Sequence, residues 1–146
     1  MDENQLNQKL QKEKNYLGSF ALDELNEIKI DIFPSFFVIN LDNRENTGTH
    51  WIAFAVYENI VYICDSLGGL CPYNSLPSTL INFLYILLIS KKLFITKQLQ
   101  NINSDTCGCY CVTFIKYMQR KKSFKDFLQL FTSNLKQNDN IVLFLC

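Results

Sequence analysis

The sequence predicts an α+β domain in which a central helix packs on a mostly antiparallel sheet. Segments 35–40, 50–57 and 59–65 are rich in β-branched and aromatic residues, which favours three adjacent strands. The segment that begins at Cys107 contains no proline and is apolar on nearly every side as far as Lys116, which is typical of a buried helix. With 146 residues, 48% of them apolar, the chain can bury the core of one domain.

The N-terminal region predicts an arm and a short helix. Residues 1–15 are polar and charged, so we expect an N-terminal arm, with a helix as one possible conformation, that precedes a single domain over residues 16–146. In the next stretch, YLGSFALDEL, the apolar side chains are spaced to anchor a short helix on the core. These side chains are Leu17, Phe20, Leu22 and Leu25.

The second half of the chain predicts further helices around one more strand. The apolar run LINFLYILLI at 80–89 predicts a buried helix, with Ser78 and Thr79 available as its N-terminal cap. KLFITKQLQ at 92–100 predicts the last strand, and the C-terminal region after the Cys107 segment predicts one or two short helices.

Charge and leader signals limit the partners that we expect. Lys and Arg number 14, as do Asp and Glu, so the net charge gives no reason for strong nonspecific attraction to nucleic acid or to an anionic membrane. The run at 80–89 is too short to span a bilayer. No apolar segment follows a basic start, so we expect an intracellular protein that is not secreted. In a reducing compartment its six cysteines would be thiols. We also expect a monomer.

Three cysteines alternate in the stretch QNINSDTCGCYC at 100–111. On a helix, steps of about 100° place Cys107 and Cys111 near one another and Cys109 opposite. Cys107 would occupy the first turn, where free backbone N–H groups and the helix dipole favour a thiolate. Cys109 and Cys111 would lie deeper, as small packing residues.

Four residues supply the roles that cysteine-protease chemistry needs: a thiol nucleophile, a base, a group that orients the base, and oxyanion donors. His50, the only histidine, opens one predicted strand and Asp65 ends the next, so antiparallel pairing would make them neighbours. Gln100 ends the last predicted strand seven residues before Cys107. Its amide would therefore reach the helix N-terminus and join the Cys107 N–H as an oxyanion donor.

Plainer explanations compete with these roles. A lone His50 would more often be structural, and Asp65 alone could cap a turn. Gln98 lies two residues from Gln100 on the same face of the predicted strand and is an alternative donor. A zinc site that combines His50 with cysteines such as Cys64 is a further alternative, but the C-x-C-x-C spacing lacks the gap of zinc knuckles. We therefore expect no metal and no required cofactor.

The order His50-Trp51, Asp65, Gln100 and Cys107-Gly108 along the chain resembles the adenovirus maturation protease (adenain-like) family. This family has relatives in polinton-type elements and large DNA viruses and shares its core with SUMO-deconjugating proteases. GTHWIAFAVY is similar to that family's Gly-x-His-Trp-x-Ala-Phe-Ala strand, and YLGSF to its Phe-Leu-Gly-Thr segment. The Gln-x6-Cys-Gly spacing matches as well. The resemblance runs from about Tyr16 to the C-terminus and implies a papain-like cysteine protease core.

At matching positions the resemblance implies Cys107 as nucleophile, His50 as general base and acid, Asp65 as orienting carboxylate and Gln100 as oxyanion donor. It also implies polypeptide substrates: viral or transposon-encoded structural precursors, capsid proteins among them, cleaved after small residues and especially Gly. The implied process is capsid maturation in the host nucleus, in the cytoplasm or inside the virion.

Two departures limit that inference. Asp65 stands where the adenovirus enzyme has Glu and agrees with the deconjugating branch. The adenovirus enzymes are activated by DNA and by a disulfide-tethered peptide, yet ISKKLF, where the tethering cysteine would fall, contains none. A peptide activator of that kind is therefore not supported.

Two further alternatives concern function. A basic cluster at the end of the predicted central helix is explained by solvation and the helix dipole, with a nucleic-acid contact as the alternative. The cluster consists of Lys116, Arg120, Lys121, Lys122 and Lys125. The competing functions are a deconjugase for a ubiquitin-like modifier and a non-catalytic interaction module, for which a lost catalytic position would be expected; none is lost.

Overall fold

A computed structural model describes residues 1–69, 76–120 and 122–146 of the chain. Its described strands form one five-stranded sheet in the order β1-β2-β3-β4-β5. The central strands β2, β3 and β4 pair antiparallel, and the edge strands β1 and β5 pair parallel to their neighbours. The strands are β1 (Tyr16–Phe20), β2 (Ser35–Asn40), β3 (Trp51–Val56), β4 (Ile60–Cys64) and β5 (Lys92–Ile95).

Helices cover both faces of the sheet. They are α1 (Glu3–Leu10), α2 (Ser78–Leu87), α3 (Cys107–Gln119), α4 (Phe124–Leu128) and α5 (Leu135–Leu145), with a 3-10 helix over Leu22–Glu27. The predicted α+β fold, with a central helix on a sheet whose core is antiparallel, is confirmed. In the described part of the chain, no helix combines the length and apolar character needed to cross a bilayer.

Successive side chains along each strand point to opposite faces of the sheet, which divides the core into two layers. Val38 and Ala53 pack towards α3, whereas Ile39 and Ile52 pack towards α2 and the 3-10 helix. α3 is buried along most of its length, because α1, α4 and α5 pack around the sides that the sheet leaves open. The apolar character of its sequence on nearly every side reflects this central position.

Three local predictions are wrong. YLGSF forms β1, and only the next residues form the 3-10 helix, because β1 pairs parallel with the remote β2. The strand predicted at 92–100 ends at Ile95, since the N–H groups of Leu99 and Gln100 both bond to the Ser66 carbonyl. α2 begins after Pro77 and has no side-chain cap, so Ser78 and Thr79 lie inside the helix instead of capping it.

The N-terminal segment forms α1, which begins with a capping box between Asp2 and Gln5. Leu6 and Leu10 point from this helix into the core that surrounds α3 and are fully buried. The remaining side chains of α1 are largely polar, which matches the polar character of the sequence. The two leucines nevertheless attach the segment to the domain.

We expect Leu6→Ala to lower the free energy of unfolding by about 2–5 kcal/mol, because it removes a buried side chain and leaves a cavity. The matched control is Gln8→Ala, an exposed position on the same helix, which should change it by less than about 0.5 kcal/mol. Urea unfolding of both variants measures the difference. Equal stabilities would show that α1 is a dispensable arm.

Candidate active site

His50 and Asp65 form a buried pair at one end of the sheet. His50 directly precedes β3 and Asp65 directly follows β4, and these strands pair antiparallel with Ala53 opposite Cys64. His50 Nε2 lies 2.8 Å from Asp65 Oδ1, with side-chain exposures of 2% and 0%. The predicted neighbourhood of the two residues is therefore present.

Asp65 is held in place by its own backbone and side-chain contacts. Its N–H donates to Thr96 Oγ1 at 3.0 Å, and Thr96 Oγ1 donates to its carbonyl at 2.5 Å. Asp65 Oδ1 also accepts from the Leu67 N–H at 3.1 Å. These bonds orient the carboxylate towards the imidazole.

The environment of His50 favours its charged form. Burial lowers the pKa of His50, but the hydrogen bonds to Asp65 and Cys107 outweigh it and raise the pKa from 6.5 to about 9. Since Nε2 faces Asp65, Nδ1 is the ring nitrogen left to face the Cys107 sulfur.

Cys107 is the first residue of α3 and is partly exposed. Burial raises the pKa of this thiol, but the hydrogen bond to His50 and the N–H groups of Trp51 and Gly108 prevail and lower it below its usual value. The N-cap residue Thr106 provides no side-chain cap for the N–H groups of this first turn. The lowered pKa of the thiol and the raised pKa of the imidazole together favour a thiolate–imidazolium pair.

Gln100 is buried, at 2% exposure, and its amide is anchored on both sides. Its Oε1 accepts from Ser66 Oγ at 2.6 Å, and its Nε2 donates to the Ser104 carbonyl at 2.7 Å. An amide nitrogen carries two N–H groups, so one remains for another acceptor. Gln98 is exposed and bonds to the Gln100 carbonyl.

A cleft of about 510 Å³ brings these residues together. His50, Gln100 and Cys107 line it, and Trp51 lies beside them. Gln98 does not line it. In the three described ranges, no group of three or more His, Cys, Asp or Glu side chains is arranged to hold a metal ion.

The other cysteines lie in different surroundings. Burial raises the pKa of Cys111 and of Cys64 well above the ordinary value. Cys109 contacts Cys146, and this hydrogen bond and burial raise the pKa of Cys109 while the same bond lowers that of Cys146 to about 7. The contact between Cys109 and Cys146 was not predicted, because the two residues are remote in sequence.

Sequence reasoning also missed the residues that hold the site. Ser66 fixes the Gln100 amide and backbone, and Thr96 fixes Asp65. Both are small hydroxyl residues: Ser66 directly follows a predicted strand, and Thr96 lies inside another. No local pattern marks such a role.

Comparisons with known proteins add information on the fold. No protein-family profile matches the sequence, and no curated protein matches it. Among solved structures, the SUMO protease Ulp1 has a TM-score of 0.51 at 14% identity, covering 96% of this chain and 72% of that one. The central domain of Lpg1148 from Legionella pneumophila has a TM-score of 0.53 at 13% identity, covering 99% and 92%.

A viral protease is also similar. The ASFV pS273R protease has a TM-score of 0.44 at 20% identity over 73% of this chain. The chain spans 43% of the length of that protease. The likeness to Ulp1 shows that the chain shares the fold of this SUMO protease.

We expect iodoacetamide at mildly acidic pH to label Cys107 well before Cys64, Cys109 and Cys111, because its pKa is lowered while theirs are raised. Cys146, whose pKa is lowered to about 7, is a further reactive thiol, and its labelling is followed separately. Peptide mass spectrometry after brief treatment measures the order.

His50→Ala is the matched variant for this labelling. It removes the group that stabilises the Cys107 thiolate, and no second histidine is present to replace it. The preference for Cys107 should then largely disappear. Labelling of Cys107 at an unchanged rate in this variant would contradict the pairing of the two side chains.

Asp65→Asn should shift the alkaline limit of Cys107 reactivity with substrate to lower pH. The carboxylate helps to raise the pKa of His50 to about 9, so its neutralisation moves that pKa back towards 6.5. Turnover should fall by about 10- to 100-fold, since an Asn oxygen can still orient the imidazole, as it does in Cys-His-Asn sites.

A pH–rate profile between about pH 5 and 10 measures this shift. Asp126→Asn, which alters an exposed capping carboxylate of α4, is the control. An alkaline limb that stays at about pH 9 in Asp65→Asn would remove Asp65 from this role.

Proposed function

We propose that the protein is a cysteine endopeptidase in which Cys107 is the nucleophile, His50 the general base and acid, Asp65 the orienting carboxylate and Gln100 an oxyanion donor. One observation carries the proposal. The buried His50–Asp65 pair faces a thiol of lowered pKa at the first turn of a helix, within one cleft.

The proposed reaction begins with the Cys107 thiolate and the His50 imidazolium. The sulfur attacks the scissile carbonyl carbon, and the carbonyl oxygen takes the negative charge, which the Cys107 N–H and the second N–H of Gln100 stabilise. His50 then donates its Nδ1 proton to the leaving amine as the C–N bond breaks. In the second half, His50 takes a proton from water, whose oxygen attacks the thioester carbonyl. The C–S bond then breaks, which releases the carboxylic acid and restores the Cys107 thiolate and the His50 imidazolium.

The pH range in which this mechanism operates follows from the shifted pKa values of Cys107 and His50. Deprotonation of Cys107 is complete only above its lowered pKa, whereas His50 holds its proton up to about pH 9. The ion pair is therefore present between these values, and activity should fall above about pH 9.

We propose that the substrates are polypeptides, and by resemblance to the adenain-like family that they are viral or transposon-encoded structural precursors cleaved after small residues, especially Gly. Trp51 supports a restricted site, because it lines the same cleft as Cys107 and its Nε1 donates to the Met1 carbonyl at 3.1 Å. Capsid maturation is the proposed process.

The proposed setting is inside the host cell, in the nucleus or cytoplasm, or inside the virion, with the protein acting as a monomer. The described cysteines support a reducing compartment, because all five are free. A DNA contact would fall on the basic cluster, of which Lys121 lies outside the described residues. Lys116 is nine residues from Cys107 on α3, about 14 Å along the helix, so this surface is separate from the cleft.

The second candidate is a deconjugase for a ubiquitin-like modifier. Its support is the likeness to the SUMO protease Ulp1 over 96% of this chain and the presence of Asp65 where adenovirus enzymes carry Glu. A non-catalytic module is the third candidate.

One assay separates the three. The protein is incubated with a Gly-containing precursor peptide and with a fusion to a ubiquitin-like modifier, with Cys107→Ala as control. We expect Cys107-dependent cleavage of the peptide. Preferential cleavage of the fusion would favour the deconjugase, and cleavage of neither substrate would favour the non-catalytic module.

In the same assay Gln100→Ala should lower kcat by about 10²- to 10³-fold, because it removes one oriented oxyanion donor while the Cys107 N–H remains. Gln98→Ala, an exposed change two residues away, should leave kcat within about twofold. If the Gln98 variant were the more damaged of the two, the assignment of the donor would be reversed.

A further inference from the structure

We infer that Asp139 is a positioning residue of the proposed active site, which fixes loop 101–106 between Gln100 and Cys107. The role rests on the proposed protease function. Asp139 lies on α5 and does not line the cleft. Its carboxylate is nearly fully buried, with 7% exposure, and none of the catalytic steps uses it.

The carboxylate of Asp139 bonds to both ends of loop 101–106. Thr106 Oγ1 donates to Asp139 Oδ1 at 3.0 Å, and the Asn101 N–H donates to Asp139 Oδ2 at 3.3 Å. Asn101 follows Gln100 directly, and Thr106 directly precedes Cys107. A single side chain therefore connects the neighbours of the proposed oxyanion donor and of the proposed nucleophile.

Ser104 transmits this constraint within the loop. Its N–H donates to the Asn101 carbonyl at 3.0 Å, and its Oγ lies 3.1 Å from Thr106 Oγ1. Its own carbonyl accepts the Gln100 Nε2 at 2.7 Å. Because both ends of the loop are held by Asp139, the position of this carbonyl, and with it the Gln100 amide, depends on Asp139.

Tyr110 adds a second connection to the same carboxylate. Its hydroxyl lies 3.0 Å from Asp139 Oδ1 and 3.0 Å from the Leu99 carbonyl. Burial and the Asp139 carboxylate raise the pKa of Tyr110 far above its ordinary value, so the hydroxyl stays protonated as a donor. The neighbouring Asn138 also donates to the Leu99 carbonyl, at 3.1 Å. α5 thus holds the chain on both sides of Gln100.

The chemical consequence concerns the transition state. Oxyanion stabilisation requires donors fixed in advance at the position of the developing charge, and a misplacement of about 1 Å can cost about 10²-fold in rate. Asp139 does not line the cleft in which a substrate would bind. Its loss should therefore lower kcat and leave KM nearly unchanged.

The test is steady-state cleavage of the Gly-containing peptide by Asp139→Asn. This change keeps the size of the side chain but replaces one acceptor oxygen with an NH2 group, so at least one of the three donors loses its partner. We expect kcat to fall by about 10- to 100-fold with KM within about threefold. In the Gln100→Ala background the same change should lower kcat by a clearly smaller factor than in the unmodified protein, because part of the effect of Asp139 acts through the Gln100 amide.

A pair of threonine variants on the same region provides the matched comparison. Thr106→Val removes the hydroxyl that bonds to Asp139 and should lower kcat in the same way as Asp139→Asn. Thr113→Val is the control: this buried hydroxyl on α3 has no hydrogen-bond partner among the described residues. The control should keep the kcat of the unmodified protein. If Asp139→Asn does not fold, Thr106→Val carries the test.

The outcomes separate this inference from the proposed function. If the unmodified protein cleaves the peptide and Asp139→Asn has the same kcat, the role of Asp139 is overturned and the proposed function stands. Where Asp139→Asn does not fold, an unchanged kcat in Thr106→Val has the same meaning. A full, multiplicative loss in the double variant with Gln100→Ala also overturns it, since it indicates a general structural effect. An unmodified protein without Cys107-dependent cleavage overturns the proposed function, and this role with it.

Discussion

The antiparallel pairing of β3 with β4 is the interaction on which the site depends. Ala53 lies opposite Cys64 and Val56 opposite Val61, so the start of β3 and the end of β4 meet at one end of the sheet. His50 and Asp65 are the residues just beyond these ends. A slip of one residue in the register would turn the side chains of a strand to the other face. It would separate the imidazole from the carboxylate and exchange the side chains that pack towards α3 with those that pack towards α2, so packing and chemistry select the same register.

Burial of α3 converts this local geometry into a fixed site. Helices surround α3 on the sides away from the sheet, so it has no free face about which to rotate, and its first residue remains beside His50. Most polar groups around that residue are hydrogen-bonded within the protein, including the buried Gln100 and Asp139. Buried polar groups without partners are costly. The same bonds that avoid this cost hold the donors in place before a substrate arrives.

The sequence predicts the parts of the fold that local patterns determine. β2, β3 and β4 show the β-branched and aromatic composition of buried strands, and α3 shows the composition of a helix packed on all sides. β1 was mistaken for a helix, because what makes Tyr16–Phe20 a strand is its pairing with β2 and not its own pattern. α1 carried a signal, since Leu6 and Leu10 are one helical turn apart after an Asp2–Gln5 capping box. The polar residues around them suggested an arm, and only the structure shows that the two leucines pack into the core.

In the site, too, some residues can be identified from local sequence patterns, whereas others are identified only by contacts between remote segments. Helix geometry alone distinguishes Cys107 from Cys109 and Cys111, because only the first of three identical side chains lies at the N-terminal turn. The structure accordingly lowers the pKa of Cys107 and raises the other two. The contacts of Asp139 with Asn101 and Thr106 join segments more than 30 residues apart, and no periodicity records them. Composition and spacing can therefore identify the residues that would carry out the chemistry, whereas the residues that hold them in position emerge only once the chain is folded.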